Sequence, residues 1–231
     1  MLYISPPFGN YFSYQKSLRI EGTFTWERRK GLIYHTLRSL RPVRGGWVNR
    51  IGFRNKGIRR RAEGCPLSNI TSICAMEPNE WGKMCEFLPS TAHLELNLSC
   101  PNVHDVDIDD ANLRAFVDKF DKLQVKIRPT PTFVKQIVPR LIAMGVKTIH
   151  MSNTIPSPKG GISGKQLKEI NLPLIEMTAA NTTIIAGGGI YTAQDVQDYR
   201  NAGAKHFSVS TVFITRPMSL PAIYKETLKE I

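Results

Sequence analysis

Cysteine is scarce in this chain and badly placed for a metal. Cys65, Cys74, Cys85 and Cys100 form no C-x-x-C pair and have no nearby histidine at zinc-ligand spacing, so no metal centre is expected. A secretory leader is missing too: "MLYISPPFGNYFSYQK" has no basic region followed by an apolar stretch and a small-residue cleavage site. Reduced thiols and a cytoplasmic location are therefore expected. No apolar run approaches the ~20 residues of a membrane-spanning helix, so no membrane partner is expected. Acidic residues are sparse at one end only. Residues 1–65 hold 14 Lys+Arg against 3 Asp+Glu, whereas the remainder holds 17 against 16. The net charge of +12 is thus concentrated in the first quarter, above all in "WERRKGLIYHTLRSLRPVRGGWVNRIGFRNKGIRRR". Such a field steers anions without specifying them. A solvated basic face, or attraction for an anionic cofactor and substrate, is the plainer reading; a nucleic-acid partner is the less favoured one.

The 231 residues, 42% hydrophobic and 22% charged, suit one sizeable core. Short apolar runs alternate with amphipathic stretches: "LYIS" (2–5), "RIEGTFT" (19–25), "NITSICAM" (69–76), "HLELNLS" (93–99), "LQVKI" (123–127), "VKTIHMS" (146–152), "TTIIAGG" (182–188) and "KHFSVST" (205–211). Between the later runs the apolar residues follow helical spacing, as Leu113, Phe116, Val117 and Phe120 do. Gly145 and Gly203 stand at helix ends, and Thr192 precedes Asp195 as an N-cap does. Eight strands alternating with helices predict an α/β fold of the (β/α)8 TIM barrel class, a single compact domain over 1–231 with trimmed loops. Residues 27–67 read as a basic loop region between the second and third strands, with a short helix at 31–40. An open doubly wound sheet is the alternative, but its Gly-rich turn belongs after the first strand rather than near the C-terminus.

The strand ends collect polar residues: Asn97 to Asn102, Lys126, then Ser152, Asn153 and Thr154, then "AGGGI" (186–190), then Ser210 and Thr211. In a barrel all of these face one mouth. "GGGIYTAQDV" offers consecutive backbone N–H groups at a helix N-terminus, and the "VST" hydroxyls lie on the adjacent strand, which together read as a phosphate site. A tight turn with helix caps is the competing explanation. Lys126 lies in an apolar strand, where an ammonium needs an anion or a bridging carboxylate. Cys100, in "LELNLSCPNV", is either a small buried hydrophobe or a thiol whose reference pKa of ~8.5 suits general-base work.

Taken together, these stretches resemble the dihydroorotate dehydrogenase family of FMN barrels over roughly residues 19–214. "LNLSCPN" looks like its catalytic strand, "VKIRPT" like its flavin-contacting lysine strand, "SNTIPSPKGGISG" like its asparagine and glycine loop, and "IIAGGGIYTAQDVQDYRNAGAKHFSVSTVF" like its phosphate-binding end. "GTFTWERR" and "GGWVNRIGFRNKGI" are similar to its early substrate and flavin loops. The resemblance implies oxidation of (S)-dihydroorotate to orotate in pyrimidine biosynthesis, with Cys100 as base and Lys126 at the flavin. It implies substrate contacts from Asn49, Asn97, Asn102, Asn153 and Thr154. Its cofactor contacts are Thr23, Asn97, Lys126, Ser152, Gly164, Gly188, Gly189, Ser210 and Thr211. Its partners are a small pyrimidine and at most a second copy of the chain. Ser210 replaces a glycine common in the family, Gly22 and Thr23 stand where many members carry a lysine, and the loop after Asn153 is short. Two alternatives accompany this reading: a related FMN barrel that reduces uridine in tRNA, and a barrel without catalysis that binds nucleic acid or protein.

Overall fold

The structure is a computed structural model in which residues 1–64, 67–98 and 107–229 are described. Along the chain run strands β1 (Leu2–Ile4), β2 (Leu18–Phe24), β3 (Arg41–Val43), β4 (Gly46–Asn49), β5 (Ile70–Ile73), β6 (Leu94–Asn97), β7 (Leu123–Ile127), β8 (Thr148–Met151), β9 (Ile155–Ser157), β10 (Gly160–Gly164), β11 (Thr183–Gly187) and β12 (His206–Val209). Eight of them close into a parallel barrel in the order β1, β12, β11, β8, β7, β6, β5, β2. These are the eight expected from the apolar runs, and the molecule is a (β/α)8 TIM barrel.

Two separate apolar layers hold the barrel. The larger lies between strands and helices, where Leu94, Leu96, Val125, Ile127, Ile149 and Ile184 face Trp81, Phe116, Val134 and Ile175. The smaller consists of Tyr3, Ile20, Ile70 and Ile185, with Leu18 beside them. Strand alternation divides neighbours between the two. Ile184 joins the outer layer and Ile185 the other cluster.

The helices are α1 (Leu32–Ser39), α2 (Ile58–Gly64), α3 (Glu80–Phe87), α4 (Asp110–Lys119), α5 (Pro131–Ala143), α6 (Gln166–Thr178), α7 (Ala193–Asn201), α8 (Val212–Thr215) and α9 (Leu220–Thr227). α4 starts on Asp109, whose carboxylate accepts from the Asn112 N–H, and it buries Leu113 and Phe116. α7 starts on a full capping box between Thr192 and Asp195. Gly145 and Gly203 have φ of 94° and 99°, the left-handed values that end a helix. Between β1 and β2 the crossover is reduced to a single 3-10 turn, Phe8–Asn10.

Residues 27–67 contain more order than a basic loop. The expected helix is present as α1, and a hairpin, β3–β4, and helix α2 follow it. Nor is the stretch after Asn153 a plain loop, because β9 and β10 form a second hairpin. The two hairpins join in a four-stranded antiparallel sheet, β3-β4-β10-β9. Gly46 and Gly164 are paired in it. A Cβ on Gly164 would stand 2.6 Å from the Gly46 Cα, and one on Gly46 would overlap the Ser163 carbonyl. Glycine at both positions is what lets the hairpins approach, a long-range pairing that local alternation does not reveal.

Candidate active site

The C-terminal ends of the barrel strands open into a cavity of about 830 Å³, within the range that encloses a cofactor-sized ligand. The hairpin sheet roofs it with Trp47, Asn49 and Ser163, while α1 contributes Leu32 and Thr36, and Leu40 follows just past its end. Thr23, Asn97, Lys126, Ser152, Asn153, Thr154, Gly188, Gly189, Ser210 and Thr211 also line it. Gly164 does not; it is packed against Gly45 and Gly46 instead. Cys100 and Asn102, expected as base and substrate contact, lie outside the described residues, as do Cys65 and Ser99. Cys74 and Cys85 are buried and not joined in a disulfide.

A run of hydrogen bonds crosses the floor. Asn153 Nδ2 donates to Asn97 Oδ1 at 3.2 Å, and Asn97 Nδ2 donates to Thr23 Oγ1 at 2.9 Å. Thr23 Oγ1 in turn lies 3.0 Å from Ser72 Oγ. Three strands and the connection after β8 are tied by this run, and both ends of the Asn97 amide are assigned by it. Asn49 sits apart on the roof, its Oδ1 accepting from the Ile51 N–H at 3.2 Å.

Lys126 is 8% exposed, lies beside Asn97 and His150 in the strand register, and opens onto the cavity. Beneath it, Glu95 Oε2 accepts from Gln124 Nε2 at 2.7 Å and meets His150 Nδ1 at 2.7 Å. Burial alone would push the Glu95 carboxyl up. The His150 contact, the Lys126 charge and the Gln124 donation outweigh it and hold the group at about 2. Burial pushes the His150 imidazole down. Both directions favour a carboxylate beside a neutral ring, with Nδ1 placed to donate to Glu95.

The glycine turn differs in detail from expectation. Gly188 and Gly189 have φ of 86° and 74°, which favours glycine whatever the ligand. Their absent Cβ atoms would press on Leu167 and on the Lys165 carbonyl and Lys168, all at the start of α6. Packing against α6 is thus a second reason for glycine here, beside any room the turn leaves for an anion. The N-terminus of α7 is also taken: Asp195 Oδ2 accepts from the Tyr191 and Thr192 N–H groups at 2.9 and 2.8 Å, and Lys168 Nζ reaches Oδ1 at 2.5 Å. Although burial pushes the Asp195 carboxyl up, Lys168 and these donors hold it below the usual carboxylate range. What stays open to the cavity is the turn itself, Gly188 to Ile190, beside Ser210 and Thr211.

Sequence reasoning missed two parts of this wall. Glu21 Oε2 accepts from Arg61 Nε at 3.1 Å and from its terminal nitrogen at 2.8 Å, while Oε1 accepts from Asn69 Nδ2 at 2.7 Å. Both members of the ion pair line the cavity, and nothing in residues 40 apart announces the contact. Asn55 holds its loop by donating to the Thr23 carbonyl and accepting from the Gly57 N–H. Signal for Glu95 and His150 was available: each is a polar residue inside an otherwise apolar strand.

The residues fit an anionic, flat cofactor such as FMN. Lys126 is a buried cation that opens onto the cavity; the Glu95 carboxylate acts on it from below, and its cavity side suits an anionic ligand. No metal cluster of His, Cys, Asp or Glu occurs among the described residues, and no helix there is long and apolar enough to cross a membrane.

Comparison with known proteins bears on the family and the fold. The profile of a family described as dihydroorotate dehydrogenase matches residues 15–231. The catalytic subunit of dihydroorotate dehydrogenase B (NAD(+)) from Geobacillus sp. (strain WCH70) is 27% identical over 217 residues, covering 79% of this chain and 69% of that protein. Its counterpart from Latilactobacillus sakei subsp. sakei is 26% identical over 223 residues, covering 80% and 73%. The ligand-free dihydroorotate dehydrogenase of Eimeria tenella superposes with a TM-score of 0.71 at 19% identity, covering 98% of this chain and 83% of that one. The same enzyme in complex with ferulenol gives 0.64 at 20%, covering 88% and 72%; at these identities the structures speak for the fold. Profile, relatives and barrel point the same way, and the chain belongs to the dihydroorotate dehydrogenase family, oxidoreductases acting on CH–CH groups.

Proposed function

We propose that this protein is an FMN-dependent oxidoreductase that converts (S)-dihydroorotate to orotate in pyrimidine biosynthesis. The observation that carries the reading is Lys126, a buried ammonium on the floor of a cavity large enough for a flavin. When bound, FMN would accept the hydride that leaves one carbon of the dihydropyrimidine ring. Lys126 would lie at the pyrimidine edge of the flavin and stabilise negative charge there. Ser152 and Thr23 would flank the ring, and the open turn at Gly188 and Gly189, with Ser210 and Thr211, would receive the phosphate.

The substrate falls to the amides. Asn97 and Asn153 are held in orientation by their mutual hydrogen bond, and Thr154, Asn49 on the roof and Asn102 complete the set. Cys100 is the proposed base, removing the proton from the carbon next to the one that loses hydride. Gly164, placed in the hairpin sheet, would support the roof without touching the flavin. A cytoplasmic location accompanies this reading.

The test is an anaerobic spectrum. Protein reconstituted with FMN should be yellow and should bleach on addition of dihydroorotate. Failure to retain FMN, or a flavin that stays oxidised with dihydroorotate and with other dihydropyrimidines, overturns the proposal.

A further inference from the structure

Two fully buried ionisable side chains take no part in the cavity wall. Glu95 and His150 both have no exposure, and they come from β6 and β8, the strands on either side of β7. Register sets Glu95 beside Gln124 and Lys126 beside His150. Within the pair, Glu95 Oε1 and His150 Nε2 have no hydrogen-bond partner among the described residues.

A buried carboxylate hydrogen-bonded to an imidazole is an expensive way to fill a barrel interior. Replacing such a pair by apolar side chains is often neutral or stabilising, and the nearby cluster of Tyr3, Ile20, Ile70 and Ile185 is apolar already. A carboxylate kept there answers a need that packing does not create. That need is above it, at Lys126, whose charge acts on both Glu95 and His150.

We propose that Glu95 and His150 are positioning residues: a sealed pair sharing one proton, whose fixed negative charge sets the potential that Lys126 presents to an anion on the cavity floor. The inference rests on the FMN reading for the identity of that anion only. A bare ammonium would over-stabilise negative charge on a bound ring. With Glu95 beneath it, Lys126 presents the positive end of a nearly neutral unit, strong at contact and weak beyond. Among the described residues His150 Nε2 has no partner to pass a proton to, so the charge of the unit stays fixed while electrons come and go above it. The groups facing the pair are few. Tyr3 on β1 and His93 ahead of β6 feel the Glu95 charge, Gln124 and Lys126 come from β7, Ser72 from β5 brings no charge, and Ile185 from β11 brings none.

Nitrogen NMR of the apoprotein reads the pair without any flavin. His150 should stay neutral with its proton on Nδ1 from pH 5.5 to 9, and a ring that titrates freely with the solvent overturns the sealed pair. Lys126→Met should move His150 toward the imidazolium by removing the competing charge, and an unchanged ring overturns the coupling. In the FMN-loaded protein, Glu95→Gln should shift the flavin midpoint potential positive, and Glu95→Asp should restore most of it. A purely structural role predicts instead a lower melting temperature with an unmoved potential, which refutes the proposal. Wild-type protein that never takes up FMN overturns the FMN reading, and the two apoprotein measurements then decide the pair on their own.

Discussion

Asn97 donates to Thr23 Oγ1 across 2.9 Å although the two residues are 74 positions apart. This bond joins β6 to β2 at the cavity floor, and Asn97 also accepts from Asn153. Asn97→Ala removes a partner from both neighbours at once. A stability loss of about 1–3 kcal/mol follows from leaving buried polar groups unpaired, readable as a shift in the urea midpoint. Affinity for dihydroorotate should fall along with it, whereas Thr154→Val should weaken affinity with little change in stability.

Cys100→Ala should leave FMN content and the oxidised spectrum unchanged. Reduction by dihydroorotate should slow by about 10²- to 10⁴-fold, the usual contribution of a positioned base. Stopped-flow bleaching at constant pH measures it, and an unaltered rate removes the thiol from the reaction.

Glu21→Ala takes from Arg61 the carboxylate oxygen that accepts two of its N–H groups inside the cavity wall. Breaking a buried pair from one side costs about 3–5 kcal/mol. Thermal unfolding should show the loss, and Glu21→Gln, which keeps an acceptor for Asn69, should lose less.

Asp195 makes stability depend on pH in a stated direction. Its carboxyl is held low in the folded chain, so the unfolded chain takes up the proton first as the solution is acidified. The contribution is present above the unfolded value of about 3.9 and is lost as pH falls from there toward the folded value. Asp195→Asn should therefore reduce stability at neutral pH by about 1 kcal/mol, the scale of a lost cap, and flatten the acid limb of the stability curve.

Gly187→Ala should destabilise the barrel by about 1–3 kcal/mol through overpacking. Its new methyl would stand 2.5 Å from Ser152 Oγ and 3.1 Å from the Ser208 Cβ. Equilibrium denaturation checks the size, and a neutral substitution would mean that the two serines turn aside freely.

How much of this was legible in the chain depended on the range of the interaction. The eight barrel strands and the caps at Thr192, Gly145 and Gly203 are local patterns, and each was readable. Residues at strand ends converge because parallel barrel topology forces them to, so Lys126, Asn97, Asn153 and Ser210 could be grouped before any coordinates. The sheet β3-β4-β10-β9 could not, since its pairing joins segments more than 100 residues apart through two glycines that lack any local signature. The glycine turn was placed correctly but for an incomplete reason. A triple glycine looks like space for a ligand, whereas Gly188 and Gly189 also yield to α6. Glu95 and His150 were visible as polar residues in apolar strands, yet their meeting needs the register of β6, β7 and β8.

The roof is one mechanical part made from two connections. Because Gly46 and Gly164 leave no space between the hairpins, neither can lift alone without tearing the ladder that joins them. Residues 41–49 and 155–164 should therefore open together, and their amide protons should exchange with solvent at matched rates. Any change in the length of one connection must then be answered by the other.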